Sequence, residues 1–94
     1  MRCLHILNKA PGEPRSEACL ADLTSGDALL LIENAVVAIA DNAVGWPTDI
    51  ETYVLTEDLE ARGLKDFAVE NGWACVNYPE FVTLTTESEK VVCW

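Results

Sequence analysis

Short apolar blocks recur along the chain, and the segments between them hold most of the prolines, glycines and charges. The first block, Cys3-Leu4-His5-Ile6-Leu7-Asn8, is almost continuously apolar and predicts a central strand covered on both faces. Lys9 to Pro14 follows as a loop, stopped by Pro11, Gly12 and Pro14. A helix then begins with Ser16 as N-cap, carries Cys19, and ends near Ser25-Gly26. Ala28 to Ile32 reads as a second buried strand. Ala35 to Ala40 suits a strand by composition, but its alanines and its place after a buried strand predict a short helix. Asp41 to Asp49 is a linker holding Gly45, Trp46 and Pro47, and Thr52 to Leu55 is the third strand.

Glu57 to Gly63 reads as a short helix with acids first, Arg62 late and glycine at the stop, as the helix dipole and the C-cap rule favour. Lys65 to Gly72 adds a further helical turn or two. Trp73 to Asn77 is a fourth strand, and Pro79 opens a last helix, Glu80 to Ser88, with Phe81, Val82 and Leu84 on its apolar face. Val91 to Trp94 is a final short strand or a docked tail. Strands alternating with helices predict an α/β fold: one three-layer domain over residues 1–94, with a mostly parallel sheet of four or five strands and helices on both faces. In such sheets function collects outside the carboxyl ends of the strands. The loop Lys9–Arg15, the start of the Cys19 helix, Glu33-Asn34 and Thr56-Glu57 all fall on that edge.

Composition narrows the function classes. A chain of 94 residues holds one small core, so stability from association, as an oligomer, is expected. Sixteen acidic and six basic side chains give a formal charge of -10, which opposes direct binding to a phosphate backbone and favours protein partners. Met1-Arg2 precedes only a short strand-like run, so neither a signal peptide nor a membrane span is expected. The four cysteines, at 3, 19, 75 and 93, form no CxxC pair, and the single His5 gives no zinc spacing. These features predict a cytoplasmic protein with reduced thiols and no metal. No cofactor is expected either: Gly12 stands alone where a phosphate loop needs several glycines, and Pro11 and Pro14 remove backbone donors.

Cys19 is the chain's best candidate for chemistry, and two readings of it stand. With Ser16 as N-cap, Cys19 lies near the third helical position, where free N–H groups, the dipole, Lys9 and Arg15 all favour a thiolate. On that reading Cys19 alkylates faster at neutral pH than Cys3 or Cys75. On the other reading Cys19 packs as a small hydrophobe beside Leu20 and Leu23. His5 near Cys19 would permit a Cys–His pair, but a histidine inside a strand is more often a hydrogen-bonded core residue. Cys75 reads as structural, Cys3 goes either way, and Cys93 reads as exposed without activation. The tryptophans at 46, 73 and 94 suit core and interface alike.

The segments in order resemble the DsrH/TusB family, small subunits of bacterial sulfur-relay complexes. Leu4-His5-Ile6-Leu7-Asn8-Lys9-Ala10-Pro11 is similar to the family's opening motif, and Gly26-Asp27 before a Leu-rich strand is similar too. Tyr53 to Leu64 resembles its most recognisable segment, a strand leading into Asp-Leu-x-Ala-Arg-Gly. Asn77 to Thr86 and Trp94 match its closing pattern. Ala35 departs from the glycine often found after the second strand, and Asp41–Asp49 aligns poorly.

The resemblance implies a place beside DsrE/TusD-like and DsrF/TusC-like sister subunits in a heterohexamer where sulfur passes as a cysteine persulfide. TusB-type complexes feed thiolation of the tRNA wobble uridine, and DsrH-type complexes serve sulfur oxidation. The principal sulfur-carrying cysteine belongs to the DsrE/TusD-like subunit. A cysteine at position 19 points to the DsrH type. A Cys19 thiolate would attack the outer sulfur of a donor persulfide, release the donor thiol and pass the sulfur to an acceptor protein. Lys9, Arg15 and Ser16 would stabilise the thiolate and persulfide, with His5 nearby and any contact with tRNA made through partners. The alternatives are a structural subunit of that complex, or a homo-oligomeric thiol- or ligand-binding protein.

Overall fold

A computed structural model describes residues 2–94. Five strands, β1 (Cys3–Leu7), β2 (Ala28–Leu31), β3 (Glu51–Leu55), β4 (Ala74–Val76) and β5 (Lys90–Cys93), form one sheet in the order β4-β3-β2-β1-β5. Every pairing is parallel, with Leu4 opposite Ala28 on one side of β1 and Val91 on the other. The expected α/β class and strand set hold, and the sheet is wholly parallel. β1 and β2 are fully enclosed apart from Cys3, as their unbroken apolar character predicts.

The two faces are covered unequally. Leu7, Leu29, Leu31 and Val54 point to one face, where helix α1 (Pro14–Asp22), the 3-10 segment Glu33–Ala40, α2 (Thr56–Ala61) and α3 (Lys65–Glu70) bring Cys19, Val36, Leu59 and Ala68 onto them. Leu4, Ile6, Ala28, Leu30 and Val76 point to the other face, which α4 (Tyr78–Glu87) covers with Leu84 and the half-buried Phe81. Each buried Leu or Val contributes roughly 1.5–3 kcal/mol. The thicker layer therefore holds more of the stabilisation.

The local sequence explains most element boundaries and corrects one that matters. α1 starts at Pro14, whose fixed φ suits the first helical position, and Glu13 rather than Ser16 is its N-cap. Glu13 instead folds its carboxylate back onto the Ala10 N–H, at 3.0 Å. Ser16 is thereby moved into the first turn, and Cys19 beyond it. The helix stops at Asp22, before the turn in which Gly26 takes φ +92°.

The segment expected as a short helix after β2 is a 3-10 helix. Its buried residues Ala35, Val36, Ala38 and Ile39 recur three apart, the repeat of that helix. Glu33, which opens it, adopts a left-handed φ of 50°, held by Asp58 accepting its N–H at 2.7 Å. Arg62 donates to the neighbouring Asn34 side chain. The Asp-Leu-x-Ala-Arg-Gly segment thus clamps the exit of β2. At α4, Asn77 and Glu80 form a reciprocal capping box.

Candidate functional site

β1 is flanked by β2 on one side and β5 on the other, so the crossovers to its two neighbours run over opposite faces of the sheet. Its carboxyl end is the topological switch point, where ligands bind in sheets of this kind. Trp94 occupies that place. Its backbone N–H donates to Ile6 O at 2.9 Å, and its backbone oxygen accepts from Lys9 Nζ at 3.3 Å. Lys9 also donates to Asn8 Oδ1 at 2.6 Å, and the Arg15 guanidinium lies 5.8 Å above the indole.

The indole reaches back along β1 to His5. Trp94 Nε1 donates to His5 Nδ1 at 3.1 Å, and the ring planes are only 18° apart, so the rings meet edge to edge in a shared plane. An Nδ1 that accepts leaves the proton on Nε2, which donates to Asp27 Oδ2 at 3.1 Å. Asp27 also accepts from the Thr24 N–H and hydroxyl. Burial, the largest influence on Asp27, pushes its carboxyl up. The bonds donated by His5 and Thr24 together outweigh burial and hold its pKa below the ordinary value. A polar chain Trp94–His5–Asp27–Thr24, buried at His5 and Asp27, thus ties the residue after β5 to the turn before β2.

Cys19 stands apart from this cluster. It is the sixth residue of α1, past the free N–H groups of the first turn, and is wholly buried. Burial, then the Asp22 carboxylate and Cys3, push its thiol up to about 12. Lys9 and Arg15 are engaged on Trp94, and neither is among the charges acting on the thiol. The expected position of Cys19 at the helix start is therefore corrected. The start of α1 lies earlier than the sequence pattern indicated, and the apolar reading of Cys19 describes its surroundings. Ser16 is likewise no cap, and its side chain is buried.

The structure brings Lys9, Arg15 and His5 together, but around Trp94. Asp27 and Trp94 are the organising residues that the sequence reading passed over as site residues. The available signal was His5 itself, since an imidazole inside a buried strand needs partners for both nitrogens. Cys3 is half-buried, its thiol raised by burial and by Asp27. His5 has no free nitrogen to accept its proton. Cys75 is half-buried and Cys93 exposed. Among the described residues, no cluster of metal-ligating side chains forms, and no helix is long and apolar enough to cross a membrane.

Fold and site together define a small, parallel, doubly wound domain whose switch point is filled by its own indole. Residues 9–91 match the family described as DsrH like protein. A protein named TusB from Pectobacterium parmentieri is 33% identical over 95 residues, covering 97% of this chain and 99% of that relative. Proteins of the same name from Escherichia coli, strains ED1a and K12, are 34% identical over the same spans. The chain belongs to the DsrH family.

Proposed function

We propose that this chain is an architectural subunit of a cytoplasmic sulfur-relay complex, in which a sister subunit's cysteine carries the persulfide. Family membership supports the relay. The burial of Cys19, with its thiol pushed up to about 12, carries the architectural role. Sulfur transfer requires a thiolate with access to the donor, and an enclosed thiol offers neither. The TusB name shared by the relatives, with Cys19 packed as a core residue, favours the branch that feeds tRNA wobble-uridine thiolation over sulfur oxidation. The charge of -10 supports a reading in which any tRNA contact is made by partner proteins.

The test is to assemble the chain with DsrE/TusD-like and DsrF/TusC-like subunits, add a persulfide donor, and read sulfur on each cysteine peptide by mass spectrometry. Sulfur is expected on the sister subunit, at the same rate with wild type and Cys19→Ala. A sulfur atom gained at Cys19, with transfer lost in Cys19→Ala, would replace this reading with one in which Cys19 is a relay station.

A further inference from the structure

The bonds of the Trp94–His5–Asp27 chain fix one another's protons. His5 is 2% exposed, and each of its ring nitrogens faces a partner of fixed character. The Trp94 indole nitrogen can only donate, so at 3.1 Å it requires a bare lone pair on His5 Nδ1. Asp27 Oδ2, which also accepts two bonds from Thr24, requires a proton on Nε2. The arrangement therefore fits the neutral imidazole alone. A second proton can enter only at Nδ1, where it sets two donors face to face across 3.1 Å. The bond to Asp27 survives that step and gains a charge. Protonation keeps one end of the chain and breaks the other.

The surroundings leave this conflict to the groups in contact. A cleft of about 310 Å³ at the amino ends of β1 and β5 gives protons a way to His5 and Asp27. Arg2 before β1 and Lys90 on β5 line it, against Asp22 on α1 and Glu89 before β5, so those charges balance. Cys3 on β1 and Cys19 on α1 are thiols that burial holds protonated. β2 contributes no charged side chain, while Lys9 and Arg15 lie against Trp94. Asp27 draws the proton to the imidazole, and Trp94 resists it.

From this geometry we infer that Trp94 is a proton-sensitive latch: its indole closes the carboxyl end of β1 while His5 is neutral, and swings out when His5 gains a second proton. A docked indole needs Nδ1 bare, so the latch is shut above the imidazole's titration and open below it. Histidine is the side chain that ordinarily changes charge between about pH 5 and 8, a range open to a folded protein. The movement belongs to the side chain. The Trp94 N–H donates to Ile6 O at 2.9 Å and its backbone oxygen accepts from Lys9, and neither bond involves the imidazole. Opening uncovers the place above β1 where parallel sheets take ligands, together with the Arg15 guanidinium that lies over the indole. The latch is independent of the relay reading.

An NMR titration of the full chain from about pH 8 to about pH 5, with ¹⁵N-indole and ¹³C-imidazole labels, tests it. His5 is the single histidine, and Trp94→Phe assigns the Trp94 signal among three indoles. The docked Trp94 N–H signal is expected to fade with the same midpoint as the His5 titration. The Trp46 and Trp73 indoles and the core amides of Leu30 and Val54 should stay in place. Trp94→Phe, which removes the donor, should raise the proton affinity of His5 about fivefold, the equivalent of one buried hydrogen bond. Asp27→Asn removes the charge that draws the proton and should lower that affinity at least fivefold, keeping the latch shut to lower pH. Three results would overturn the inference: a Trp94 signal that persists through the His5 titration, an imidazole that gains no proton until the core amides are lost, or an unchanged proton affinity in Trp94→Phe.

Discussion

Two buried titratable side chains lie in the same layer between α1 and the sheet, and the fold treats them in opposite ways. His5, 2% exposed, has both ring nitrogens engaged, one by Trp94 and one by Asp27. Cys19, at 0%, has apolar neighbours, and its charged form is excluded. An imidazole always presents a donor and an acceptor, so its burial demands a network. A neutral thiol behaves as a small hydrophobe and needs none. Polar machinery in this layer therefore marks the closure of β5 and Trp94 onto β1, while the nucleophile belongs to the core.

The comparison is broken most severely at the histidine. His5→Ala takes one donor from the buried Asp27 carboxylate, which keeps those of Thr24, and the acceptor from the indole N–H, and should lower unfolding free energy by about 2–4 kcal/mol in urea titration. Cys19→Ser places a hydroxyl among apolar side chains and should cost about 1–3 kcal/mol, whereas Cys19→Ala should cost less. Equal costs for His5→Ala and Cys19→Ala would show that the Trp94–His5–Asp27 chain contributes little.

The two groups also separate by pH, with opposite signs. The folded Cys19 thiol holds its proton more tightly than an unfolded one. Its contribution is therefore intact below pH 9.0 and lost as pH rises from 9.0 towards about 12, at up to about 1.4 kcal/mol per pH unit. That slope should be shallower in Cys19→Ala. Asp27 is depressed, so its contribution is complete above 3.8 and disappears as pH falls through its lower folded value; Asp27→Asn should flatten that acid limb. Trp94→Phe, which keeps an aromatic body but removes the Nε1 donor, should have the smallest effect, about 1 kcal/mol.

The fold was legible in the sequence because each strand is a short apolar block and each helix carries local signals. Gly63 after α2 and Pro79 at the start of α4 are such signals. The sequence pattern was read with Ser16 as the cap of α1 and Pro14 as a loop stop, whereas the structure puts Pro14 at the first helical position, where its fixed φ is suited to a helix start. That shift of a few residues removes Cys19 from the first turn and changes its chemistry. The Trp94–His5 bond joins residues 89 apart, and no local pattern reports a contact of that range. Lys9 and Arg15 were found as a pair of cations, but their true anchor lay at the far end of the chain.

Native-state thiol labelling tests the central claim most directly. The intact chain is treated with iodoacetamide at neutral pH, and alkylation at Cys19 and Cys93 is followed by peptide mass spectrometry. A thiol moved from 9.0 to about 12 has its thiolate fraction cut about a thousandfold, before burial adds its own protection. Cys93 should therefore label readily, with Cys19 at least a hundredfold slower until denaturant is added. Labelling of Cys19 within a few-fold of Cys93 in the folded chain would contradict its assignment to the core.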